Sequence, residues 1–168
     1  MSQPSSLQIV IEQESLTISD QFIVLGAQPF DDLHAIRLLG TRLEQSGYVR
    51  RTFTAAVVER ERVLPTGIAL GEINLAVPHA DAYFAHRSAL ALATLRRPVP
   101  FHNMDHTDQR VPVQIVCLPV VANLRAFSGV LATVLKVLQR PELLKTLCAA
   151  RQPYDVLRAL SEAFSAVA

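Results

Sequence analysis

Residues 111–120 read VPVQIVCLPV, and apart from Gln114 every side chain in the run is apolar. A second run, ALALATL at 89–95, is nearly as free of polar residues. Strands of this kind do not alternate between a wet and a dry face. They are covered on both sides, and helices are the usual cover. The reading of these two segments decides the fold class, since two covered faces call for a sheet with helices packed on it.

The flanking sequence supplies the other layers. LQIVI (7–11) and QFIVL (21–25) are short and β-branched and read as strands. From Asp31 to Gln45, Leu33, Ile36, Leu39 and Leu43 fall at helical spacing, and Gly47 is a stop. RRTFTAAVVERER (50–62) reads as a second helix that ends before Pro65. INLAV (73–77) is a strand that ends at Pro78, because proline cannot donate to a ladder. Toward the C-terminus Leu124, Phe127, Leu131, Val134 and Leu138 form one helical stripe, and Val156, Leu157, Leu160 and Phe164 form another. Pro141 is suited to the first position of a helix between them. The expected order is strands, two helices, three strands and three helices. There is no linker and no internal repeat, so residues 1–168 read as a single α/β domain with about five strands.

Composition excludes several classes of function. Half the residues are apolar and the formal net charge is +1. A nucleic-acid binder would carry a basic stripe, and a disordered chain would be polar and highly charged. The N-terminus MSQPSSLQIV has neither the basic nor the apolar region of a secretory signal. The longest apolar run is shorter than the ~20 residues that span a bilayer, which argues against direct membrane insertion. Cys117 and Cys148 are too few for a disulfide framework, and Cys117 reads as a small buried hydrophobe. A reducing cytoplasm fits this chain. There is no Walker loop, GxGxxG, GxSxG or CxxC, so nucleotide and serine-hydrolase chemistry lack their usual motifs.

Five histidines remain as reactive candidates. His102, Asp105 and His106 in HNMDH lack a third good ligand and lie between strands, so the segment reads as a polar connection and no metal site is expected. His34 lies off the apolar stripe of its helix, and His86 follows AYFA; both read as surface residues. His79 is different. It follows a buried strand and Pro78, whose fixed φ stiffens the chain, so a titratable ring is delivered from a rigid element. On spacing alone a turn histidine that caps a strand remains open.

The segment VVERERVLPTGIALGEINLAVPHAD (57–81) resembles the phosphorylation-site region of the fructose/mannitol-type enzyme IIA domains of the bacterial phosphotransferase system. The matching residues are Arg60-Glu61, Pro65-Thr66-Gly67 and Val77-Pro78-His79. The stretch between Thr66 and His79 is most similar to the galactitol-specific branch, and the resemblance runs from about residue 20 to 160. It implies a mixed sheet between helices. It also implies that His79 accepts a phosphoryl group from the phosphocarrier HPr and passes it to a cysteine of an enzyme IIB, which serves a membrane enzyme IIC.

By the same resemblance Arg60 would hold phosphoryl oxygens with a planar, permanently charged fork. Thr66 would offer a hydroxyl, and Gly67 would let backbone N–H groups approach the anion. Glu61 and Pro78 would support the site. Asp81 could orient the imidazole or face water, and the repulsion between a carboxylate and a phosphate favours the second. Transfer between two side chains needs no nucleotide, so no cofactor is expected. Mannitol-type members carry a second histidine on the helix after the VPVQIVCLPV strand, and here Phe127 takes that position. A regulatory phosphoacceptor with the same fold would use the same His79 and is the alternative. A hydrolase built on His79 and Asp81 lacks a nucleophile.

Overall fold

The computed structural model describes residues 2–167; Met1 and Ala168, the ends of the expected domain span, lie outside the described residues. In chain order the elements are β1 (Ser6–Ile11), β2 (Glu14–Ser19), β3 (Ile23–Ala27), α1 (Asp32–Gln45), α2 (Phe53–Val63), β4 (Gly67–Ile68), β5 (Leu75–Ala76), β6 (Ala89–His102), β7 (Arg110–Val120), α3 (Phe127–Leu138), α4 (Pro141–Cys148) and α5 (Pro153–Ser165). The strands form one mixed sheet in the order β1-β2-β6-β7-β5-β4, with β3 also paired to β6. β1–β2, β4–β5 and β6–β7 are antiparallel. β2 and β3 both run parallel to β6, and β5 runs parallel to β7.

The two apolar runs are central strands covered on both faces, and their alternation is by size. Leu90 and Leu92 of β6, with Ile115 and Cys117 of β7, join the core under α3, α4 and α5. Ala89, Ala91 and Ala93, with Val116, Leu118 and Val120, join the core under α1 and α2. The alanines let α1 and α2 sit close to the sheet, with Ile36, Leu39, Leu43, Phe53 and Val57 filling the space between. Helix ends follow their local chemistry. The Asp31 carboxylate caps α1 by accepting the His34 N–H at 2.8 Å, and Gly47 takes φ +76° just beyond the C-terminus.

The sheet has seven strands where about five were expected. β2 carries polar residues at Glu14, Ser15, Thr17 and Ser19 and shows little apolar pattern, yet Leu16 and Ile18 are fully buried. β4 is only two residues long. The strand expected at 21–25 begins at Ile23, because Asp20–Phe22 form a 3₁₀ turn capped by Ser19. β6 continues seven residues past 95, through Pro98 and Pro100, into the segment read as a connection. Pro100 lies opposite Pro112. That pairing is tolerated at a non-hydrogen-bonded position, where neither N–H would point across the ladder. The Pro112 carbonyl accordingly turns outward and accepts from Asn74 Nδ2 at 3.0 Å. Leu124 is 77% exposed and precedes α3, so the buried stripe of that helix is Val130, Val134, Val137 and Leu138.

Candidate functional site

Because β5 and β7 are parallel, their carboxyl ends open on the same side, where ligand sites of α/β sheets gather. The chain leaves β5 through Val77, Pro78 and His79 and leaves β7 through the loop that enters α3 at Phe127. The two exits bring the His79 and Phe127 rings to a centroid distance of 6.3 Å. The end of α2 and the turn into β4 add Glu61 and Thr66 from a third direction.

His79 is buried to within 9% of exposure, and its Nδ1 lies 2.9 Å from the Val77 carbonyl oxygen. A carbonyl can only accept, so Nδ1 carries the proton and Nε2 the lone pair. Nε2 makes no hydrogen bond among the described residues, and no side-chain nitrogen or oxygen there is sealed without a partner. Nε2 therefore reaches the surface. Burial pulls the imidazole pKa below its ordinary 6.5; the bond to Val77 opposes this and the charge of Arg60 adds to it. The ring is neutral at pH 7 and its lone pair is available.

Behind the histidine lies a buried hydrogen-bonded chain. The Glu61 carboxylate accepts the Thr66 hydroxyl at 2.6 Å and the Thr66 backbone N–H at 2.8 Å. The Thr66 hydroxyl oxygen accepts the Val77 N–H at 3.1 Å. Burial lifts the Glu61 carboxyl to about 7 against the pull of both Thr66 bonds. The Thr66 hydroxyl is engaged by Glu61, an occupation different from the phosphoryl contact expected of it. The sequence marked both residues by motif position, but not that one binds the other.

The charge run ERER (59–62) separates into three environments. Glu59 and Arg62 form a surface ion pair at 2.9 Å, and Glu61 is buried. Arg60 is exposed and makes no ion pair or side-chain hydrogen bond among the described residues, yet it is near enough to His79 to act on its proton affinity. Asp81 is exposed and caps a short turn by accepting the Tyr83 N–H at 3.0 Å. In HNMDH, the Asn103 side chain accepts the N–H groups of Asp105 and His106, and His102 Nδ1 bonds the Thr107 carbonyl. Among the described residues no group of three His, Cys, Asp or Glu is placed to hold a metal ion.

Pro78 is buried and the described residues contain no cis peptide bond, so Val77–Pro78 is trans. Gly67 answers to packing. A Cβ there would lie 2.6 Å from the His102 carbonyl oxygen, where the far end of β6 crosses β4. The glycine was expected to admit an anion; its immediate reason is this backbone approach. Gly67→Ala must push β4 away from β6. The expected cost is about 1–3 kcal/mol, lowering Tm by about 2–4 °C for each kcal/mol in a chain of this size. A thermal melt checks this, and an unchanged Tm would show that the crossing relaxes freely.

Together these residues present an imidazole nitrogen of defined tautomer, within the electrostatic reach of an unpaired guanidinium and next to an apolar ring. Comparisons with known proteins place the chain in a family. Residues 17–163 match the family model for the phosphoenolpyruvate-dependent sugar phosphotransferase system, EIIA 2. The chain is 29% identical over 130 residues to the galactitol-specific EIIA component of Escherichia coli K12, covering 77% of this chain and 86% of that protein. A proposed PTS IIA (PtxA) from Streptococcus mutans superposes with a TM-score of 0.71 at 25% identity, covering 87% of this chain and 90% of that one. The complex of enzyme IIAMTL and phosphorylated enzyme IIBMTL from E. coli has the same fold, with a TM-score of 0.65 at 21% identity over 84% of this chain and 95% of that one. With most of its length matched, the chain belongs to the EIIA 2 family of the phosphoenolpyruvate-dependent sugar phosphotransferase system.

Proposed function

We propose that the protein is a phosphoryl carrier that accepts a phosphoryl group from phospho-HPr on Nε2 of His79 and passes it to a cysteine of an enzyme IIB. The observation that carries this reading is the tautomer. The Nδ1–H rests on the Val77 carbonyl, which leaves the Nε2 lone pair free at the surface. That lone pair attacks phosphorus while the donor's bond breaks and its electron pair stays on the donor. In the second step the IIB sulfur attacks, the P–N bond breaks, and its electrons return to Nε2 as the lone pair of a neutral imidazole. No proton has to leave Nδ1 in either step.

Arg60 holds the transferring oxygens with a bidentate fork. Phe127 walls the site and excludes water, which strengthens the remaining charge contacts. The galactitol-specific relatives support a sugar or polyol system, with the sugar itself handled by the membrane enzyme IIC downstream of IIB. Among the described residues no helix is long and apolar enough to cross a membrane, and a cytoplasmic site of action fits a carrier between soluble partners.

The test uses preformed phospho-HPr, so that any metal needed by the system's first enzyme does not enter. The chain should take up one phosphate, acid-labile and base-stable, with ³¹P–¹⁵N coupling to Nε2 of His79. A chelator should leave the rate unchanged, because the residues invoked are an imidazole and a guanidinium. An adduct on Nδ1, an acid-stable adduct or a chelator-sensitive rate would overturn the mechanism. Uptake on His79 without passage to any IIB would favour the regulatory phosphoacceptor.

A further inference from the structure

Phosphoryl transfer by His79 and Arg60 leaves one buried acid without a task. Glu61 is 4% exposed, and among the described residues no cation pairs with it. A carboxylate held out of water without an ion partner is costly unless its oxygens are well used. Both oxygens of Glu61 are used on a single residue, and each lies within 3.1 Å of both the backbone and hydroxyl donors of Thr66.

The consequence reaches past Thr66. A hydroxyl has one proton. With that proton donated to the ionised Glu61 carboxylate, the remaining lone pairs of Oγ1 face the Val77 N–H. Val77 lies one residue beyond the β4–β5 pairs Gly67–Ala76 and Ile68–Leu75, so the hydroxyl extends the ladder where the backbone has stopped. The next residue, Pro78, has no N–H with which to do so. The Val77 carbonyl is the group that takes the Nδ1–H of His79.

We infer that Glu61 and Thr66 are positioning residues that anchor Val77 by its N–H, and so fix the carbonyl on the other side of its Cα that locks His79 in the Nδ1–H tautomer. Only the kinetic part of this inference rests on the reading of His79 as the phosphoryl acceptor. The tautomer is a property of the unphosphorylated chain and is measured without any donor.

The experiment records the ¹⁵N shifts of the His79 ring in the full chain. The parent should show one Nδ1–H tautomer. Thr66→Val keeps the side-chain shape and removes the hydroxyl, so it should give a mixture of tautomers. Its rate constant for uptake from phospho-HPr should fall about 10- to 100-fold, the scale of a misplaced reacting group, with little change in KM. Thr66→Ser should restore both readouts. Glu61→Gln keeps one oxygen able to accept both Thr66 donors but sets an NH2 donor where the second oxygen faced the Thr66 N–H, so it should lie between parent and Thr66→Val. Should Thr66→Val fail to fold, Glu61→Gln carries the test alone. A parent-like tautomer in the folded variants would overturn the inference, as would loss of rate with the tautomer unmoved. A shifted tautomer with phosphate found on another residue would uphold the positioning role and reject the carrier reading.

Discussion

His79→Ala should take up no phosphate from phospho-HPr, because the substitution removes the acceptor atom itself. The loss is complete, whereas removal of a stabilising group only slows the reaction. A variant in which His34, His86, His102 and His106 are changed together to Asn or Gln should still take up one phosphate per chain. Two of those four have defined local roles: His34 Nδ1 accepts the Phe30 N–H at 2.9 Å, and His102 Nδ1 is turned to the Thr107 carbonyl at 3.0 Å. Retained labelling in His79→Ala would reject the assignment.

The same substitution has a pH signature. His79 binds a proton less readily in the folded chain than its ordinary 6.5, chiefly because it is buried. Below about pH 6.5 the unfolded chain therefore takes up a proton first. Stability falls with pH from there down to the folded pKa. Above that range the residue contributes no slope. His79→Ala should lose this part of the acid sensitivity, which denaturant melts between pH 5 and 7 would measure. An identical acid slope in parent and variant would mean that the folded ring titrates like a solvated one.

What could be read from the sequence was set by local pattern. ALALATL and VPVQIVCLPV announced a covered sheet, and the stripes of α1 and α5 gave helices that pack as expected. β2 escaped because its partners supply the apolar environment and its own residues are mostly polar. β4 escaped because two residues hold no period. Leu124 matched the α3 stripe by spacing, but the turn held by the Asn123 side chain, which accepts from Arg125 and Ala126, delays the helix until Phe127. At the site, motif position drew attention to His79, Arg60, Glu61, Thr66, Gly67 and Pro78. Composition and spacing could not say that Glu61 would be buried, that Thr66 would turn to it, or that the Val77 carbonyl would choose the tautomer. Those facts depend on α2, β4 and β5 meeting in space. The placement of Phe127 was legible through resemblance alone, and its ring does stand beside His79.

Arg60→Ala should slow phosphoryl uptake from phospho-HPr by about 10²–10³-fold, the usual loss when one preorganised charge is removed from a transition state. The structure gives reasons for both the size and the selectivity of the effect. Arg60 is exposed and has no ion pair or side-chain hydrogen bond among the described residues, so its removal should leave Tm within about 2 °C of the parent, as for surface substitutions in general. Arg60→Lys keeps the charge and loses the planar fork, so its rate should fall between those of Ala and the parent. The cation also disfavours protonation of His79. Removing it should raise the proton affinity of the ring and move the acid limb of the rate profile to higher pH in Ala, while Lys leaves that limb near its parent position. These two readouts separate the two roles of Arg60: its charge shifts the pH limb that burial chiefly sets, and its charge with the bidentate fork sets the rate plateau. Equal plateau rates in parent, Lys and Ala would reduce Arg60 to a surface charge. A drop in Tm that parallels the drop in rate would make it a structural residue and leave the developing phosphoryl charge to be met by backbone donors alone.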